Sequence, residues 1–335
     1  MIIEASAPAR VDLAGGTIDI PPLFLFHEGA ATVNFAINLK AHVRIETRSD
    51  NKIVIESIDR EDRVETTVDE IDEFRTSKRL ELPAKLVYFF KPETGFSMTV
   101  KSEVPAGAGL AGSSTLAISC IGALNRLVGN RYEPEKFIPI AANIETQVIK
   151  VPAGFQDYYS ALYGSVACIH FRADGIVREP LTIDRSVLEE RIVVIYTGEP
   201  RNSGTNNWEI TKRHIDGDRE LFDIFEGIRD SSLALREALL KNDWDAAGKV
   251  LKAAHPERRR LSPNITTPQM DHFIEVALSN GAVGAKVCGA GGGGCIAFFC
   301  AEGRKPDVVR ALEIEKEVEI LDWKLSEEGL IVSES

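Results

Sequence analysis

A chain of 335 residues, 44% of them apolar, is long enough to bury two cores, and its length favours two domains with room for a cleft between them. A formal charge of -12 and a pI near 5.1 speak against a basic surface for nucleic acid or anionic lipid, and no run of 18 apolar residues is present to cross a bilayer. The five cysteines (Cys120, Cys168, Cys288, Cys295, Cys300) form no CxxC pair, and no leader-like apolar run follows MIIEASAPAR, so a soluble, cytoplasmic protein with buried, reduced thiols is expected.

The first hundred residues read as sheet. IIEASA, AATVNFAIN, AHVRIET, KIVIESI and GFSMTV are β-branched stretches separated by polar or glycine-containing breaks, while residues 50–95 carry no placeable motif. Within this part PARVDLAGGTIDIPP (8–22) is a strand running into a Gly-Gly turn that bears Arg10, Asp12, Gly16, Thr17 and Asp19. Arg10 can pair with a carboxylate or a phosphate, and Asp19 can accept hydrogen bonds from sugar or polyol hydroxyls. Asp12 also reads as the polar face of the strand.

Next comes EVPAGAGLAGSSTL (103–116), between a strand and a helix spaced by Leu116, Cys120, Leu124 and Leu127. Alternating Gly and Ala let a main chain approach a ligand closely, and the N–H groups at a helix N-terminus attract an anion. No GKS or GKT follows, so this is not a Walker loop, and a serine N-cap after a flexible loop is the plainer alternative. A second helix is entered through Pro134, with Pro139 calling for a kink or a late start. IETQVIKVPAGFQDYYSALYG (144–164) then offers two carboxylates, Glu145 and Asp157. One suits a metal and the other a substrate hydroxyl, although Glu145 also reads as an exposed helix residue and Asp157 as an N-cap.

GSVACIHF and RIVVIYT flank a polar stretch at 172–190, which places the division between domains 1–187 and 188–335. Helices are expected over 218–241, 244–254, TTPQMDHFIEVALSNG and KPDVVRALEIEKE, with strands at AKVCG, CIAFFC and VEILDWKL, giving α+β with helices on an antiparallel sheet. HPERRR (255–260) is either a solvated helix end or a phosphate contact. GAGGGG (289–294) carries more glycine than a hairpin needs, so it is expected to lie against another backbone or a ligand.

PARVDLAGG, EVPAGAGLAGSST and KVCGAGGGGCIAFF, in this order and covering residues 5–300, resemble the three motifs of the GHMP kinase superfamily. LAGGTIDIPP, GFQDYYSALYG, YTGEPRNSG and GAVGAKVCGAGGGG are similar to its sugar kinase branch, which holds the heptose 7-phosphate kinases and galactokinases. The resemblance implies an α+β, two-domain fold, ribosomal-S5-like then ferredoxin-like, with ATP and a sugar or sugar-phosphate substrate in the cleft. It implies Asp157 as base beside Arg10, and Mg²⁺ on Ser113 and Glu145. The loop of Pro105, Gly107, Ala108, Gly109, Leu110, Ala111, Gly112, Ser113 and Ser114 would wrap the phosphates, with Gly291 and Gly292 also at the cofactor. Asp19, Thr17, Gly16, Ser203 and Gly204 would meet the substrate. Two departures stand out. AGGTID replaces AGGGTD, putting Thr17 where glycine is usual, and GLAGSS replaces GLGSS, so a one-residue slip moves the metal role from Ser113 to Ser114. A mevalonate-pathway or other non-sugar kinase and a silent sugar and ATP binder are the alternatives. No nucleic acid or membrane partner is expected, and the chain is expected to be a monomer or homodimer. Lys150, Arg201, Lys212 and Arg213 are candidates to grip a substrate phosphate.

Overall fold

The computed structural model describes residues 1–200 and 203–335, with the side chains of 203–206 set aside. Strand β1 (Ile2–Ala14) alternates along its length. Ile3, Ala5, Ala7, Ala9, Val11 and Leu13 lie in apolar cores, which turns Arg10 and Asp12 to the opposite face. Strand β2 (Ala31–Thr47) is one 17-residue strand where two short ones were expected, and its halves serve different partners. Its second half pairs with β5 (Phe96–Ser102) and its first half with β6 (Val166–Arg172), which continues into β7 (Gly175–Pro180). The remaining strands are β3 (Lys52–Ser57), parallel to β5, and β4 (Asp62–Thr67), antiparallel to β3.

Helices α1 (Glu81–Phe90), α2 (Gly112–Leu127), α3 (Phe137–Ile149) and α4 (Gln156–Tyr163) share one core with this sheet. Pro139 produces the late start: a short 3-10 turn at 134–136 precedes α3, and the proline falls in the first turn, where its missing N–H has no intrahelical acceptor to lose. Neither α1 nor β4 was visible in the sequence. α1 opens after Leu80, a left-handed residue with no side-chain cap, so Glu81 in its first turn marks the start without the usual N-cap.

After α5 (Arg185–Arg191), β8 (Ile192–Tyr196) opens a second sheet of order β11-β8-β10-β9, antiparallel throughout, from β9 (Ala282–Val287), β10 (Cys295–Cys300) and β11 (Glu319–Ile320). Its chain also forms α6 (Ser203–Ile215), α7 (Arg219–Leu240), α8 (Trp244–Arg259), α9 (Pro268–Ser279) and α10 (Lys305–Glu313). CIAFFC has no polar alternation because both faces of β10 are covered. Ile296 and Phe298 pack with α9 and α10, while Ala297 and Phe299 pack with α7 and α8. Of the expected strand VEILDWKL only Glu319–Ile320 pairs as strand. The chain then bridges Leu325 to Ile37 and ends in β12 (Ile331–Glu334), antiparallel to β1. The expected division at 187/188 thus falls within α5, and residues 331–334 lie in the first sheet. All five cysteines are buried, and among the described residues no helix is long and apolar enough to cross a membrane.

The glycine surplus at 289–294 has a structural reason. A Cβ on Gly291 would stand 2.4 Å from Ile265 O, and one on Gly294 would stand 2.6 Å from Ala108 O and 2.8 Å from Gly107 O. The loop is therefore pressed against backbone on two sides, and Gly294 also has a φ of +82°. Gly294→Ala is expected to destabilise the protein by about 1–3 kcal/mol through strain and displacement of residues 107–108, measured as a lower urea midpoint at unchanged slope. An unshifted midpoint would show that the loop gives way freely.

Candidate active site

Arg10 is the hinge of the site. Its Nε donates to Asp157 Oδ1 at 2.8 Å and its Nη2 lies 2.7 Å from the same oxygen, while Nη1 donates to Gly109 O at 2.7 Å and the backbone N–H to Leu110 O at 3.2 Å. One buried guanidinium thus spans the acidic residue of α4 and the glycine loop ahead of α2. Burial alone would lower its pKa, but the charges of Asp157 and Asp12 outweigh that and raise it. Asp157 is not an N-cap: Phe155 occupies that position without a side-chain cap, and Asp157 sits in the first turn, its side chain 22% exposed.

The glycine loop is shaped by left-handed backbone at Gly107 (φ +74°), Gly109 (φ +80°) and Ala111 (φ +66°). Its carbonyls are taken inward: Ala108 O accepts from Cys295 N–H at 2.7 Å, and Leu110 and Gly109 bind Arg10. The opening N–H groups of α2 have no intrahelical acceptor, which is what an anion site requires. The N-cap of α2 is Ala111, with no side-chain bond, so the serine-cap alternative is not realised. Instead both hydroxyls turn to one carboxylate. Ser113 donates to Glu145 Oε1, and Ser114 to Oε2 at 2.9 Å, joined by Tyr158 OH at 2.7 Å. Ser113 is exposed and Ser114 buried. Glu145 is only 5% exposed, against the exposed-helix alternative, and burial pushes its carboxyl up despite three hydroxyl hydrogen bonds that favour the charged form.

Asp19 is buried beside them, its Oδ1 accepting from Thr17 N–H and its Oδ2 from Gln156 N–H, both at 3.1 Å. Burial first, and the charge of Asp157 second, push its carboxyl up to about 6. A carboxyl raised in the folded state keeps its proton where the unfolded chain has lost it, so Asp19's contribution to stability erodes as pH rises from about 4 to about 6. Asp19→Asn lacks that erosion. Its stability relative to the wild type is expected to climb across this window in parallel urea titrations, and a constant difference would contradict the raised value. Thr17, the residue that departs from the motif, adopts φ +90°, a conformation glycine takes freely and a β-branched residue only when its surroundings enforce it. A Cβ on Gly16 would lie 2.1 Å from Asp12 Oδ2, so any side chain there must displace the Asp12 carboxylate.

Other expected residues are placed differently. Gly292 N–H donates to Ile265 O at 3.0 Å, and Gly291 packs on the same residue, so both face the segment after α8. Lys150 is tied to Glu81 and Gln147 O, Lys212 to Asp216, and Arg213 to Asp218 and Leu261 O. Arg201 and the side chain of Ser203 lie outside the described residues, and of Gly204 only its place in α6 is described. Of HPERRR, Arg259 and Arg260 pair with surface acids, but Arg258 is buried, donating to Gly16 O at 2.7 Å and to Gly289 O. Lys286 and Asp12 form a buried ion pair between β9 and β1 that sequence reading missed, because nothing in the sequence couples positions 274 residues apart.

What such a site can do is limited. The helix N-terminus attracts an anion, a carboxylate with two hydroxyls suits a hard divalent cation, and Asp157 can take a proton. Those are the working parts of a phosphotransferase. The family models named GHMP kinases N terminal domain and GHMP kinases C terminal match residues 79–165 and 235–317, together just over half the chain. The chain belongs to the GHMP kinases. It is 27% identical to a D-glycero-alpha-D-manno-heptose 7-phosphate kinase of Campylobacter jejuni, over 98% of each chain. It is also 27% identical to a mevalonate kinase of Pyrococcus horikoshii, over 99% of this chain and 98% of that one. A D-glycero-D-manno-heptose 1-phosphate kinase structure from Bacteroides thetaiotaomicron superposes with a TM-score of 0.79 over 99% of both chains at 22% identity, a likeness of fold.

Proposed function

We propose that the protein transfers the γ-phosphoryl group of ATP, with Mg²⁺, to a hydroxyl of a small sugar or sugar phosphate. The observation that carries this reading is the span of Arg10 from Asp157 to Gly109 O, which sets a proton acceptor and a phosphate-binding loop at a fixed separation. Pro105 to Ser114 hold the phosphates, with Gly291 and Gly292 backing the loop that presses on Ala108. Ser113 and Glu145 would hold Mg²⁺, which would supply charge neutralisation for the phosphate oxygens when bound. The exposure of Ser113 favours it over Ser114 for that role. Asp157 Oδ1 is occupied by Arg10, so Oδ2 orients the acceptor hydroxyl and takes its proton as the phosphoryl group transfers. Asp19 accepts from further substrate hydroxyls, Thr17 and Gly16 shape the pocket floor, and Ser203 and Gly204 would meet the substrate end of the cleft. The identities to heptose-phosphate and mevalonate kinases support a phosphate acceptor among small alcohols, and the stretches QDYYSALYG and GEPRNSG favour the sugar. A soluble cytoplasmic enzyme, monomer or homodimer, fits this reading.

The test is ADP release with Mg-ATP against free sugars, sugar phosphates, inositols and mevalonate. Turnover dependent on a sugar or its phosphate is expected. Turnover with mevalonate alone would replace the acceptor, and slow ATP hydrolysis independent of every acceptor would favour the silent binder.

A further inference from the structure

We propose that Lys286 is a positioning residue for phosphoryl transfer: paired with Asp12 across the two sheets, it keeps Arg10 turned toward Asp157 and Gly109. This rests on the phosphotransfer reading of the site. Lys286 Nζ, on β9, donates to Asp12 Oδ1 and, at 3.1 Å, to Val287 O, and both side chains of the pair are buried. Asp12 stands two residues after Arg10 on the same face of β1, and Arg10 lies in the field of Asp12 as well as Asp157. Beyond the pair, Arg258 holds Gly16 O and Gly289 O and lies in the field of Asp12 and Asp19.

Three buried or half-buried carboxylates, Asp12, Asp19 and Asp157, are thus matched by three cations, Arg10, Lys286 and Arg258. A buried carboxylate stripped of its donor is costly, so the loss of the Lys286 charge must be answered by a neighbour. Arg258 is tied to two backbone carbonyls, one in the Gly-Gly turn after β1 and one in the loop 289–294. Arg10 is the cation that can turn, and turning it toward Asp12 releases both Asp157 and Gly109 O. The damage then falls on the chemical step rather than on the packing of either sheet.

The groups facing Lys286 are Asp12 from β1, Arg258 and His255 from α8, and Cys288 just after its own strand. Burial and Arg258 together bring its pKa down to about 8, so it loses its charge within an accessible range. Arginine at this position stays charged at any such pH.

Initial rates across pH 6–10 and the Arg10 Nε–H signal in nitrogen-edited NMR test the proposal on the full-length wild type, Lys286→Met, Lys286→Arg and the double variant Asp12→Asn with Lys286→Met. Lys286→Met is expected to lower kcat ~10–100-fold, the scale for removing a group that orients an active-site ligand, with the KM for ATP nearly kept and the Arg10 signal moved. The double variant, in which no buried charge draws Arg10 away, is expected to recover kcat and the signal in part. Wild-type turnover is expected to fall above about pH 8, and Lys286→Arg to carry that fall higher. The proposal is overturned by a Lys286→Met enzyme with wild-type kcat, or by an unmoved Arg10 signal and no recovery in the double variant, which is the pattern of a merely structural pair. If Lys286→Met fails to fold, an alkaline limb shared by wild type and Lys286→Arg overturns it equally. Absence of acceptor-dependent turnover in the wild type would strike the phosphotransfer reading instead, and the Arg10 signal would still report whether Lys286 holds that side chain.

Discussion

Replacing Asp157 by alanine is expected to cut turnover ~10²-fold or more while leaving ATP affinity close to that of the wild type. The asymmetry follows from where the side chain sits. Asp157 belongs to the first turn of α4 and reaches the glycine loop only through Arg10, so its removal takes away a proton acceptor without touching the N–H groups at the start of α2. Loss of turnover with unchanged nucleotide binding, measured by steady-state rates and by calorimetric titration of ATP, would support this division of labour. Unchanged turnover would remove Asp157 from the chemistry altogether, since no other described carboxylate is bound to Arg10.

Arg10→Lys is expected to be nearly as damaging, ~10²-fold in kcat/KM, although it keeps the positive charge. The guanidinium uses Nε and Nη2 on Asp157 and Nη1 on Gly109 O, a planar fork that a single ammonium on a flexible stem does not reproduce. Either Asp157 or the loop then drifts, and misplacement by about 1 Å is enough for a loss of that size. Steady-state kinetics with the acceptor found in the panel decide the matter. A variant within twofold of the wild type would mean that charge, and not the span, is what the site needs.

Both readings of the two key carboxylates show how far a sequence carries. The order of PARVDLAGG, EVPAGAGLAGSST and KVCGAGGGGCIAFF carried the resemblance that implied the two-domain fold and a phosphate loop, and the glycine clusters themselves marked only places where backbone must come close to something. The burial of Glu145 was not legible, since a helix residue followed by Thr146 and Gln147 has the local pattern of a solvent face, and only the arrival of Ser113, Ser114 and Tyr158 from elsewhere encloses it. Lys286 was hidden for the same reason: its partner lies on β1, and no local periodicity announces a lysine inside an apolar strand. Helix α1 was lost to weak signals, a left-handed leucine standing where a Ser or Asp would have marked its start. Asp12, open to a reading as the polar face of a strand, turned out to be the buried end of an ion pair.

Strand β12 has a consequence for how the molecule is made. β1 precedes the whole second sheet in the chain, yet the partner on its outer edge, residues 331–334, is synthesised only after that sheet. Throughout that interval β1 offers a row of unpaired N–H and C=O groups to any neighbouring nascent chain, and apolar positions such as Ile3 and Ala5 flank it. The first sheet is therefore completed by a strand made after the whole second sheet, and a chain cut before residue 331 would carry one adhesive border still open.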